Sequence, residues 1–178
     1  MDWTDDVWKE RYKLIYRCWL SRIYHQKRAR FFKLCEGLLI GLGIIAFAVN
    51  MEQVFASNDP TSWLSLIITI LMFNLPIHHA KMALTHADLA KAFMGIEAKI
   101  VTAGILTQEQ VDDFLAEILR VEMNEPRTLG ALLVICQNEI AEMQGENKFI
   151  NPVTFVKRVT AHFIDWDMSC SPHQALTK

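Results

Sequence analysis

Apolar positions recur at helical spacing from the start of the chain, and no Gly or Pro interrupts them before Gly37. Trp8, Tyr12, Ile15, Trp19 and Ile23 form one stripe at four- and three-residue steps, which predicts an amphipathic helix. Thr4 is placed to cap it, with Asp5 and Asp6 in a first turn that favours negative charge. The pattern predicts one long helix over residues 5–50, or two nearly collinear ones, roughly 70 Å at 1.5 Å per residue. Gly37–Val49 is an unbroken apolar run, and Phe31, Phe32 and a snorkelling Lys33 extend it to a membrane-length segment over residues 31–49. Asn58, Asp59 and Pro60 predict a turn region over residues 51–62. A second apolar segment, residues 63–80, enters at Trp63 and leaves through FNLPIHHA.

Helical stripes continue behind it. Leu89, Phe93, Ile96 and Ile100 form one, ended by Gly104. Thr107 and Gln110 make a capping box for the next, which carries Val111, Phe114, Leu115, Ile118 and Leu119 and breaks at Glu125-Pro126. Leu129, Leu132, Leu133, Cys136 and Ile140 make a further stripe, ending near Gly145. A last helix is expected from about Pro152, burying some of Phe155, Val156, Val159, Phe163 and Trp166. No strand is expected. The fold class is all-α: a membrane protein with two transmembrane helices, a long N-terminal helix and a C-terminal cytoplasmic helical domain. The boundaries are a basic arm over 1–30, a transmembrane hairpin over 31–80, a cytoplasmic domain over 81–168 and a flexible tail over 169–178.

Charge sharpens this division. Residues 1–33 hold nine of the eighteen Lys and Arg, residues 34–80 hold none, and residues 88–147 hold eleven acids against four bases. Basic flanks around a loop without Lys or Arg place both termini in the cytoplasm. The acidic start and the late first apolar run predict no cleavable signal peptide. Four cysteines without ligand spacing read as reduced thiols. The net charge of −2 gives no general attraction to nucleic acid.

Candidate chemistry is sparse. The chain has no phosphate loop, nucleophile elbow or HExxH, so no catalytic residue, cofactor or metal ligand set is assigned. Gly37 and Gly41 form GxxxG, a close-packing face for membrane helices. Thr69, Asn74 and His78 on the second segment are candidate pore-lining residues, although a lone intramembrane Asn equally serves as a bond across helices. Glu36, Pro76, His79 and Lys81 are candidates for gating or for a vestibule; a local pair with Lys33 is the plainer reading of Glu36. Arg17, Arg22, Arg28 and Arg30 on the arm are candidates for anionic lipid or a phosphate-bearing ligand; Lys157 and Arg158, in a second basic group at the rear, are candidates for a nucleotide or simply a solvated helix face. Glu52 and Asp59 near the outer mouth would favour cations.

The arm ending ARFF at 29–32, the two close apolar helices, HHAKMALTHADLAKAF at 78–93 and EPRTLGALLVICQNE at 125–139 together resemble the SLATT superfamily. The resemblance covers roughly residues 10–166. It implies a two-transmembrane effector of a bacterial anti-phage system in the inner membrane. Such an effector would assemble as a homo-oligomeric pore, with a tetramer the guess, and cause depolarisation and growth arrest. The resemblance further implies control by a nucleotide or oligonucleotide from a partner nucleotidyltransferase or sensor. A non-conducting membrane anchor and a phage holin or exclusion protein are the alternatives.

Overall fold

The computed structural model describes residues 3–57 and 59–168; the expected tail over 169–178 lies outside them. It is 82% helix, with no strand among the described residues. Helix α1 spans Trp3–Ser57, α2 Pro60–Met72, α3 Asn74–Ala103, α4 Gln108–Glu122, α5 Gly130–Met143 and α6 Phe155–Thr160, with a 3-10 turn at Asn147–Phe149. Two stretches are long and apolar enough to cross a membrane, one within α1 and one within Pro60–Ala103.

The chain divides into two compact units. One comprises Arg28–His86; the other joins the chain up to Lys27 with everything from Ala87 onward. The basic arm and the rear helices, two regions in the sequence reading, therefore form one packed body.

In that body, Leu14 and Cys18 of α1 share a core with Phe93, Ile96 and Ile100 of α3 and Val111 and Ile118 of α4. Ile23 and Tyr24 share a second core with Ala131, Leu132, Cys136 and Ile140 of α5 and with Ala161. The expected stripes of α3 and α5 are thus core. The α1 stripe is displaced: Trp8 and Tyr12 stay 49% exposed. The reason is that α1 serves two cores in succession, and its buried face rotates between them.

Helix ends follow local chemistry. Thr107 and Gln110 form the expected capping box on α4. Gly104 and Gly145, at φ 72° and 73°, end α3 and α5 in the left-handed conformation that glycine adopts without strain. After α5, Gly145 N–H donates to Glu142 and Glu146 N–H to Ala141, satisfying carbonyls the helix leaves open.

Three expectations are corrected. Residues 51–57 belong to α1 and α2 already begins at Pro60, so most of the expected turn region is helical; Gln53 through Ser57 contain no breaker. Trp3 is already helical, so Thr4 falls inside the first turn rather than at its cap. The last helix begins at Phe155, not near Pro152, and leaves Phe155, Val156, Val159 and Phe163 58–79% exposed. Asn138 holds the chain extended before it: its side chain donates to Asn151 O at 2.6 Å and accepts from Asn151 N at 2.8 Å.

Candidate functional site

In the Arg28–His86 unit, Gly43 of α1 packs against the ring of Phe73, the residue that ends α2. A Cβ there would meet the Phe73 ring at 3.1 Å, whereas at Gly37 and Gly41 it would meet nothing within 4 Å. Within one chain the helices therefore approach through Gly43, and the GxxxG face stays open.

A polar seam runs beside this contact. Asn50, 9% exposed, donates to Ala46 O at 2.7 Å and to Thr69 Oγ1 at 3.0 Å. Ser65 donates to Asn50 Oδ1, and Thr69 Oγ1 donates to Ser65 O at 3.0 Å. Further along, the Ser57 and Ser62 hydroxyls share a hydrogen bond of 3.1 Å. A carboxamide with two donors and an acceptor engaged ties two apolar helices together by hydrogen bonds. Sequence reasoning missed Asn50. The signal was present, since it is the first Asn or Gln after the sixteen residues 34–49, in which Glu36 is the only charged side chain.

The break at Phe73 separates α2 from α3. Pro76 has no N–H for the Met72 carbonyl, and its ring crowds that turn. Phe73 N–H turns back to Ile70 O, and Asn74 Nδ2 donates to Leu71 O at 2.8 Å. Asn74 therefore satisfies the end of its own preceding helix. Thr69, the other polar pore candidate of that segment, faces Asn50.

Beyond the break, His78 is exposed and stands edge-on to His79 at 5.9 Å. His79 Nδ1 lies 2.9 Å from Leu75 O, with Phe32 at 5.9 Å. The Phe32 ring is the centre of a stack: His86, 1% exposed, lies parallel to it at 5.5 Å, and the Arg28 guanidinium covers it at 4.5 Å. Lys81 is exposed. Glu36 lies 3.8 Å from Lys33, the local pair. Among the described residues, no group of three His, Cys, Asp or Glu is arranged to hold a metal ion.

The six candidate cations are not brought together. Arg17 forms a two-point pair with Glu122, and Arg22 pairs with Glu97 at 3.0 Å. Lys27 and Glu139 pair at 2.7 Å. Three of the arm's cations, Arg17, Arg22 and Lys27, are therefore committed to acids of the rear helices. Arg28 covers Phe32, Arg30 is exposed, and Lys157 lies over Trp166 at 5.9 Å. Arg158 borders a cleft of about 420 Å³ between α5 and the 150–153 stretch, walled also by Glu139, Glu142 and Asn138.

The 125–139 stretch does structural work residue by residue. Glu125 meets His25 at 3.0 Å; His25 is 1% exposed and stacked on Phe93. Leu129 N–H donates to Tyr24 Oη at 3.0 Å. At Gly130 a Cβ would come within 2.6 Å of Trp166 O, and its N–H donates to Asp165 at 3.1 Å. Burial pushes the Cys136 thiol up to about 12, and burial, then Glu97, does the same to Cys18. Both are protonated, inert thiols.

No family model matches the chain, and neither curated proteins nor solved structures give a match. The SLATT resemblance rests on the stretches quoted for it.

Proposed function

We propose that the chain is a homo-oligomeric membrane channel, the effector of a bacterial anti-phage system, and not an enzyme. The observation that carries this reading is the open outer surface of the hairpin. Leu38, Leu42, Ile45, Ile67 and Leu71 are 52–63% exposed, and Gly37 and Gly41 face no neighbour. Such a surface needs lipid over most of its area, and its glycine face admits another helix at close range. Several copies are needed to enclose water, and four is the working number. The flanking charges support cytoplasmic termini, and the inner membrane comes from the SLATT resemblance. Depolarisation, growth arrest and control by a nucleotide or oligonucleotide come from the SLATT resemblance alone.

One observation favours a non-conducting anchor instead. Thr69 and the Nδ2 of Asn74 are engaged inside the chain, although Asn74, like His78, is exposed. Conductance in a planar bilayer separates the readings. A channel gives discrete currents that Asn74→Asp makes more cation-selective and Asn74→Leu reduces. Silence from folded oligomers, with no inhibiting ligand present, supports the anchor.

A further inference from the structure

The stretch from Lys148 to Ile164 differs from the surface around it, with three Lys or Arg and no Asp or Glu in a rear region that is otherwise acidic. Its apolar side chains are turned outward. Phe155 is 79% exposed, Val156 61% and Val159 58%, and spacing of one and four residues sets them on one helical face. Arg158, next to Val159 on α6, and Lys148, which precedes α6 in sequence and lies over the Phe149 ring at 4.8 Å, are both exposed, and neither pairs with an acid among the described residues. Lys157 is held instead over Trp166, its Nζ 3.5 Å from Met168 Sδ. An apolar face with unpaired cations near it in sequence is what an anionic lipid surface complements, with apolar side chains at the acyl boundary and cations at the phosphates. A lipid surface is also the partner this chain always has, on the membrane reading of its hairpin.

We propose that the 148–164 stretch docks on an anionic membrane surface, with Phe155, Val156 and Val159 entering the interface and Lys148 and Arg158 bound to lipid phosphates. The proposal rests on the membrane reading of the hairpin and is independent of conduction.

The test uses the full chain in vesicles of phosphatidylcholine, alone or mixed with phosphatidylglycerol. A fluorophore is placed at Val159→Cys in a Cys35→Ser, Cys170→Ser background; Cys18 and Cys136 are buried. Brominated lipid should quench the probe, and aqueous iodide should not reach it, in the phosphatidylglycerol vesicles. Lys148→Gln with Arg158→Gln should shift the docking equilibrium about thirtyfold toward the iodide-accessible state, since each cation near such a surface contributes about fivefold. Full iodide access in both lipids overturns the proposal, as does equal lipid quenching without phosphatidylglycerol. Shielding that persists in detergent, with cross-linking between copies at the Val159→Cys site, overturns it in favour of a second copy as the occupant. Flotation with the vesicles checks the hairpin separately: a chain that fails to float removes the membrane reading, and the proposal with it.

Discussion

The two units solve opposite problems with the same kind of helix. The unit made of the arm and the rear helices buries Phe93, Ile100, Ile118, Leu132 and Ile140 completely or nearly so and sets its charges in pairs around them. The Arg28–His86 unit exposes most of its Leu and Ile and turns Asn50, Ser65 and Thr69 inward. In water, apolar area is the adhesive and ion pairs supply register. In hydrocarbon, apolar area is neutral and a few hydrogen bonds with a close glycine contact supply both. The contrast teaches where each unit is vulnerable: one to loss of packing, the other to loss of a few polar or small groups.

The largest expected effect lies in the packed unit. Gly130→Val should cost about 3 kcal/mol, because its Cβ collides with the Trp166 carbonyl, which is backbone. Thermal unfolding of the full chain in detergent should show it, together with faster proteolysis of the C-terminal segment. An unchanged midpoint would mean that this segment is not seated on α5.

The alkaline limb comes next. Cys18 and Cys136 ordinarily titrate near 9.0 and are raised to about 12, and Tyr16 rises from 10.0 to about 12, each chiefly by burial. The folded state therefore holds these protons more tightly than the unfolded one. Their contribution is complete below about pH 9 and is lost as pH rises toward 12. A denaturant midpoint that falls over that window, and falls less in Cys18→Ala, would agree; a flat profile would place these groups in water.

Charge pairing should give a smaller effect. Glu122→Gln leaves Arg17 without its two-point partner at a half-exposed site and should cost about 1 kcal/mol. Exchanging the charges, Arg17→Glu with Glu122→Arg, should recover part of it. No recovery would deny the pairing between arm and rear helices.

The hairpin glycines give the smallest intrachain effects and the sharpest contrast. Gly43→Ala forces the Phe73 ring to yield a few tenths of an ångström and should cost about 1 kcal/mol or less. Gly41→Val meets nothing in its own chain, so any loss of oligomer on a native gel would come from a neighbouring copy.

Much of the fold was legible in the sequence because its cues were local. The Thr107–Gln110 box, the glycines ending α3 and α5, and the Leu89–Ile100 stripe each act over one or two turns. The candidate site was less legible because its determinants act at a distance. Arg17 and Arg22 looked like cations in search of a ligand because Glu122 and Glu97 are remote in sequence. Asn74 looked like a pore residue because nothing in its neighbours shows that it caps Leu71. Phe155 and Val159 looked like core because periodicity identifies an apolar face but not whether anything covers it.

The pairing of the arm has a consequence in time. Arg17 and Glu122 are 105 residues apart, and His25 and Glu125 are 100 apart. During synthesis the arm leaves the ribosome first, and both apolar helices follow before any of Glu97, Glu122, Glu125 or Glu139 exists. On the proposed membrane reading, the arm would carry its positive charge unneutralised while the hairpin inserts, which is when such charge sets orientation. On that reading the same residues would act twice in the life of one chain, first as an address read by the insertion machinery and later as rivets in the finished body.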